Sequence, residues 1–506
     1  MRSGVFSIAI GNLASKSVGL LREIAFAAWF GTGATAAAFR VAQTAYLLPT
    51  QALIGDSLSA GLLPLYRDLK FRDKDAARVL VVLASFYALL FSAVVTAGLY
   101  FYAREIAMFI APGASQNAQE LAGRLLAVLA LSTPFYILSG MLSYVEAGYG
   151  HYGAIAWRPM LLNIGSIAGA GLAVFTKQDL WLATGILISH IGFFAWTAVE
   201  FCRLDRLLPE RRQAWALARD ISGRFLRNMS LLIGLPMMAQ ATVLVERIVS
   251  SRLGTEIIPS ADYARFIADT TVQLIAVPLG ILTMSQHGGA SSDTASNHIR
   301  RAAATILAVS VPIALVIGLN TEAIVRLLFA RGAFNARSVV TTTAILRSMG
   351  GCLGLTVTAY YLIKALNAQM RNVEAVIATL AGALMSCSVN LLLWRTLGVQ
   401  TIGFAAVAYN ATIFLFATTR LHLWRSLAPT MIALVIGCLI YAVPAIFFNL
   451  HLRYPFNLAI NMVIAGAFWT LYFLVNPSLR ASVAKPLLRR FPITRWFGRL
   501  VKAFSR

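Results

Sequence analysis

The stretch Ser15-Lys16-Ser17-Val18-Gly19-Leu20-Leu21-Arg22-Glu23 places two cations and an acid inside a long apolar run. Near a bilayer centre a Lys, Arg or carboxylate costs roughly 2.5–3.5 kcal/mol on insertion scales, so such groups face a bundle interior or a water-filled cavity. Cations in a desolvated cleft are suited to taking an anionic group through charge-assisted hydrogen bonds. Lys16 and Glu23 are seven residues apart and fall nearly on one helical face, while Arg22 is expected about a quarter turn away. That spacing has two readings. Lys16 and Arg22 line a polar cavity, or the charges pair with Glu23 and only fix packing.

Further along, Arg40 lies in the second apolar run and faces either the same cavity or the outer interface. Asp262, Arg265 and Asp269 are spaced i, i+3, i+7 and form one polar stripe, in which two acids would hold one guanidinium charged and oriented. The stripe either fixes packing or presents Arg265 to an anion. Glu146, Arg347 and Lys364 are expected to snorkel at helix ends rather than line a mouth. His190 stands alone on its helix and reads as a hydrogen-bonded core histidine. Pro49, Pro64, Pro236 and Pro278 can bend the helices that contain them.

The elements that must hold these residues are membrane helices. Of 506 residues 58% are hydrophobic and 12% charged, too apolar for an ordinary soluble chain. About 20 apolar residues span a bilayer, and windows of that length recur at 4–30, 33–64, 77–101, 122–147, 155–176, 179–201, 224–252, 259–286, 300–319, 337–367, 373–394, 400–419, 428–449 and 456–475, or about fourteen helices. The net charge of +23 follows the loops. Arg67 to Arg78, Arg203 to Arg227 and Arg480 to Arg506 are basic clusters on one side by helix parity, which makes both termini cytoplasmic by the positive-inside rule. The tail suits a basic interfacial helix on anionic phospholipids, so nucleic acid is not needed to explain the charge. Cys202, Cys352, Cys387 and Cys438 have no Cys-x-x-Cys spacing and read as small core residues. The first apolar run is too charged for a cleavable signal and is expected to stay.

Shifting the sequence by about 220 residues lays Phe109-Ile110-Ala111-Pro112-Gly113-Ala114 on Leu328-Phe329-Ala330-Arg331-Gly332-Ala333, and Tyr144 to Ala147 on Leu362 to Ala365. With a shift near 223, Glu23 to Phe30-Gly31 matches Glu246 to Leu253-Gly254. Two six-helix halves related by a pseudo-twofold axis along the membrane normal are implied, an arrangement that holds substrate between halves and rocks. The expected organisation is an all-α polytopic membrane protein: an N-lobe at 1–201, a basic linker at 202–223, a C-lobe at 224–421, two added helices at 422–476 and a basic amphipathic tail at 477–506.

Ser15-Lys16-x-x-Gly19-x-x-Arg22-Glu23, Phe30-Gly31-Thr32-Gly33 and Ala38-Phe39-x-x-Ala42 resemble the opening of the MurJ (MviN) lipid II flippases of the MOP exporter superfamily. Trp157 to Asn163, Ser251 to Gly254, Tyr263-Ala264-Arg265, Arg331 to Phe334 and Leu397-Gly398 continue the match in order, over roughly residues 5 to 475. The resemblance implies a two-lobed flippase with a cationic cavity, carrying an undecaprenyl-pyrophosphate-linked glycan outward across a bacterial inner membrane. Lys16, Arg22, Arg40 and Arg265 would then meet pyrophosphate, with Glu23, Asp262 and Asp269 as charge partners. It also implies coupling to Na+, H+ or membrane potential, for which Glu246, Asn390 and Thr412 are the candidates, although Trp394 stands where a further carboxylate would help. No cofactor is expected, and the protein is expected to act as a monomer. The family usually has an acid where Ala37 stands and further arginines near Leu53, and its Glu-Gly appears here only as Gly55-Asp56. A flippase for an exopolysaccharide repeat therefore stays open beside one for lipid II. A drug or cation exporter of the superfamily would carry acids in this cavity. A membrane polymerase or acyltransferase would need a large outer loop or an intramembrane His with an acidic partner.

Overall fold

The computed structural model describes residues 2–54, 56–284, 292–350, 353–449 and 456–480. Among them the chain is helical, without strands. The helices are α1 (Arg2–Phe30), α2 (Ala34–Ile54), α3 (Asp56–Arg72), α4 (Lys74–Phe101), α5 (Ala103–Ile110), α6 (Gln116–Ala130), α7 (Thr133–Gly148), α8 (Gly153–Thr176), α9 (Trp181–Leu204), α10 (Ala218–Leu253), α11 (Ile257–Met284), α12 (Ser292–Leu319), α13 (Thr321–Phe329), α14 (Ala336–Gly350), α15 (Leu353–Ala368), α16 (Asn372–Leu397), α17 (Gln400–Arg420), α18 (Trp424–Asn449), α19 (Phe456–Val475) and a last turn, α20 (Pro477–Leu479).

Eight of these are long and apolar enough to cross a membrane, and ten spans result if the bent pairs α6–α7 and α14–α15 are each one span. The expected fourteen thus remains an expectation. The other long helices, α1, α2, α10 and α11, carry Arg22 and Glu23, Arg40, Glu246 and Arg247, and Arg265. Lipid-facing surface is evident from side chains that water would not tolerate: Leu89, Leu90 and Val94 of α4 and Leu384, Leu391 and Leu392 of α16 are all more than half exposed. Close helix packing relies on small residues. Gly165 and Gly169 of α8 face Gly185 and Ser189 of α9, where any added Cβ would meet the other helix.

The windows 122–147 and 337–367 are each two helices, not one. α6 and α7 meet at 47°, and α14 and α15 at 52°. Pro134 sits in the first turn of α7, where its missing N–H is harmless. The carbonyl of Ala130, freed by the break, accepts the Thr96 hydroxyl of α4 at 3.2 Å. The element order carries the internal repeat: α5 to α9 and α13 to α17 follow one another in the same sequence of lengths and breaks.

By contact the chain divides into two compact units. The first comprises Met1–Pro259 with Arg331–Ser338, and the second Ser260–Ala330 with Val339–Arg506. α10, which the repeat assigns to the second half, packs in the first unit against α2, α3 and α4. The loop 331–338 also belongs to the first unit. Within that unit Ala333 N donates to Ala28 O at 2.8 Å, and the Thr32 and Ser338 hydroxyls are 2.7 Å apart. The repeat-equivalent loop makes the equivalent contact, with Gly113 N on Ser251 Oγ at 3.3 Å and Ser115 N on Thr255 Oγ1 at 2.9 Å.

The segment after α9 is pinned rather than loose. Asp75, in the first turn of α4, accepts the backbone N–H groups of Glu210 and Arg211, each at 3.1 Å. Arg78 bridges Asp75 at 2.9 Å, Asp205 at 2.7 Å and Glu210 at 3.1 Å, and the Tyr149 hydroxyl donates to Asp205. In the second unit, Asn461 of α19 donates to Asn320 at 3.0 Å, and the Tyr472 hydroxyl of α19 donates to Ala433 O of α18 at 2.7 Å. The C-terminal tail from 481 lies outside the described residues, so its reading as a lipid-bound helix is untouched.

A candidate anion site built on Glu23

α1 presents Arg22 and Glu23 at consecutive positions, and the tight turn at Gly31–Gly33 lets α2 return Arg40 to the same place. Gly31 takes a left-handed φ of 56° there. The Glu23 side chain is 3% exposed. Arg22 donates to its Oε1 and Arg40 to its Oε2, so each carboxylate oxygen has its own guanidinium. Arg40 is further held 5.0 Å above the Phe26 ring. The remaining arm of Arg22 donates to Asn163 Oδ1 of α8 at 2.8 Å, and Asn163 Nδ2 donates to Ser15 O at 3.2 Å. Gly19 makes room for that amide, since a Cβ there would stand 3.2 Å from it.

The polar chain continues away from Glu23. Thr44 donates to Arg40 O at 2.8 Å and accepts Arg247 Nε of α10 at 3.0 Å, while Arg247 Nη1 donates to Ile258 O at 3.2 Å. Two guanidiniums meet one carboxylate in this cluster. Arg22 is the open end of it, with 28% of its side chain exposed against 9% for Arg40. An incoming anion would meet Arg22 and compete with Glu23 for both arginines.

Arg22, Glu146 and His190 depart from their expected settings, and the other candidate residues are placed as follows. Arg22 pairs with Glu23 rather than pointing away, because the reach of a guanidinium exceeds the angular offset of neighbouring Cα atoms. Arg40 is buried on Glu23 and does not reach the outer interface. Lys16 is half-buried on α1. Asp262 and Arg265 are half-buried and Asp269 exposed on α11, in the second unit. Glu246 is buried in the first unit, whereas Asn390 and Thr412 belong to the second. Asn390 is fully buried with neither amide atom bonded, and Thr412 donates to Ala408 O at 2.8 Å. No group of three or more His, Cys, Asp or Glu side chains among the described residues is placed to hold a metal. Glu146 is buried instead of snorkelling, while Lys364 and Arg347 are exposed. His190 is buried, but neither ring nitrogen makes a sound hydrogen bond. Asn163, Thr44 and Arg158 were not singled out from sequence as site residues. An arginine inside an apolar helix was the available signal for Arg158.

The sequence profile of the family described as "Lipid II flippase MurJ" matches residues 26–474. A protein of Rhizobium tropici named "Probable lipid II flippase MurJ" is 26% identical over 386 residues, covering 70% of this chain and 68% of that protein. One of the same name from Thermotoga maritima is 22% identical over 427 residues, 82% of this chain and 84% of that one. Among solved structures, "Lipid II flippase MurJ, inward closed conformation" superposes with a TM-score of 0.80 at 18% identity, over 92% of this chain and 97% of that one. An inward-facing multidrug resistance MATE transporter of the MOP superfamily superposes at 0.64 and 16% identity, over 82% and 94%. A family match that runs nearly the length of the chain, on a multi-pass helical fold with two arginines around one buried acid, places this protein in the MurJ lipid II flippase family.

Proposed function

We propose that this protein is a transporter, not an enzyme, and flips an undecaprenyl-pyrophosphate-linked glycan from the inner to the outer leaflet of the bacterial cytoplasmic membrane. The observation that carries this reading is the pair of guanidiniums on buried Glu23, where Arg22 stands partly open and also holds Asn163. A pyrophosphate has the charge and the acceptor geometry to displace a carboxylate from two guanidiniums. Arg265 and Lys16 are the further phosphate contacts proposed. Both termini are placed in the cytoplasm, the tail on anionic lipid, and Glu246, Asn390 and Thr412 are assigned to coupling by Na+, H+ or membrane potential.

The test is complementation of a strain depleted of its lipid II flippase, with outer-leaflet precursor measured directly. The wild-type chain restores delivery, and Arg22→Ala and Lys16→Ala lower it at least about tenfold while inserting normally; one lost charge-assisted contact of about 1.5–3 kcal/mol is enough for that. Normal delivery by both variants would overturn the site. Ala37 and the apolar Leu53 favour a second reading, an exopolysaccharide-repeat flippase, which predicts no rescue of that strain but restored export in one lacking its polysaccharide flippase.

A further inference from the structure

Arg158 stands five residues into α8, and its side chain runs the wrong way for a snorkelling arginine. Its guanidinium carbon lies 4.4 Å from the centroid of the Tyr136 ring and 5.8 Å from that of Phe193. Tyr136 precedes the end of α7 at Gly148 by twelve residues, and Phe193 precedes the end of α9 at Leu204 by eleven. Short connections put both of those ends on the side where α8 begins, and the Tyr149–Asp205 hydrogen bond ties them together. At 1.5 Å per residue the two rings lie about 16–18 Å into the bundle, whereas the Arg158 backbone lies only about 8 Å in. The guanidinium therefore reaches toward the bundle centre.

It arrives there without a counter-charge. Arg22 and Arg40 share Glu23, and Arg78 has Asp75 and Asp205. Arg158 has no carboxylate at ion-pair distance among the described residues, and its Nη2 is buried without a hydrogen-bond partner. Buried groups on the neighbouring helices α7 and α9 are unsatisfied too. Both ring nitrogens of His190 and the hydroxyl of fully buried Thr133, one helical turn before Tyr136, lack partners. The His190 ring lies edge-on 5.0 Å from Tyr136 and 6.0 Å from Tyr46. The rings compensate part of the charge of this half-buried guanidinium, but they do not satisfy its buried Nη2, and an anion there would. A guanidinium N–H, an imidazole N–H and a hydroxyl are all donors suited to one.

We propose that α2, α7, α8 and α9 enclose a binding site for a small inorganic anion of the chloride class, held by Arg158 with His190 and Thr133 as hydrogen-bond donors. The surroundings favour a small occupant: Thr133, Tyr136, His190 and Phe193 are all buried, while Arg158 itself is half-buried. The site is separate from Glu23, because Asn163, five residues after Arg158, lies about 140° round α8 and serves Arg22 instead.

The experiment uses the full chain in nanodiscs, with chloride exchanged for gluconate at constant ionic strength. Radiolabelled chloride binds the wild type saturably, bromide displaces it, and the thermal midpoint rises by several degrees as chloride is added. Arg158→Met loses that binding and the shift, and in gluconate it is at least as stable as the wild type. Chloride binding and a shift equal in wild type and Arg158→Met would overturn the proposal. Should Arg158→Met not accumulate, Thr133→Val decides: at least about tenfold weaker chloride binding supports the site, and unchanged affinity sinks it. No lipid-linked glycan is present, so the outcome is independent of the flippase reading.

Discussion

At Glu23 one carboxylate pairs with two guanidiniums drawn from different helices, and the consequences of losing it differ from those of losing either arginine. Glu23→Ala takes from buried Arg40 the carboxylate it holds, and breaking a buried pair from one side costs about 3–5 kcal/mol. Chemical unfolding in detergent should show that loss. Glu23→Gln, which keeps one acceptor oxygen, should lose less, and adding Arg40→Met to Glu23→Ala should recover part of the stability. If Glu23→Ala unfolds at the wild-type midpoint, the pairing carries no stability. The charges themselves were legible in the sequence, because ionisable residues in an apolar run have few places to go. Their partners were not. Arg40 meets Glu23 only because the chain reverses at Gly31–Gly33, and Arg22 meets Asn163 across 141 residues of sequence. Periodicity on a single helix carries neither fact.

Among the elements, the paired loop contacts of the repeat make the sharpest demands. Gly332 has a φ of 57°, and a Cβ there would collide with the Ala28 carbonyl; at Gly113 it would collide with the backbone of Ser251 and Arg252. Gly332→Val should therefore destabilise by about 1–3 kcal/mol, combining a disfavoured backbone with overpacking. Gly98→Ala on α4 is the control, since nothing lies within 4 Å of its Cβ position. A helix-interior Gly→Ala change should raise the thermal midpoint slightly. Equal midpoints for Gly332→Val and wild type would remove the demand for glycine at that contact. The repeat was legible here, in the match of Gly113 with Gly332. The breaks at Leu131-Ser132 and after Gly350 were not, because hydrophobicity runs straight through both and only Pro134 marks the first.

For the whole molecule, the clamp on the segment after α9 links stability to pH. Burial pushes the Asp205 carboxyl up, but the Tyr149 hydroxyl, the Arg78 guanidinium and the Arg206 N–H outweigh it and hold the group below the usual carboxylate value. Burial and the bond to Asp205 push the Tyr149 hydroxyl up. A carboxyl depressed in the folded state contributes its full stability above its unfolded value of about 3.9, and loses it as pH falls through the lower folded value. The thermal midpoint of the wild type should thus fall more steeply below about pH 4 than that of Asp205→Asn, and parallel profiles would dissociate the clamp from acid sensitivity. From sequence this region showed only as a basic linker; Asp75 and Glu210 are 135 residues apart, beyond the reach of any local pattern. The Glu23–Arg40 pair spans just 17 residues, and that short separation bears on biogenesis. Once α2 has emerged from the ribosome, the most buried charge of α1 already has its counter-ion, so the two helices can enter the bilayer as one hairpin. Arg22 must wait for α8 to supply Asn163 before its remaining arm is satisfied.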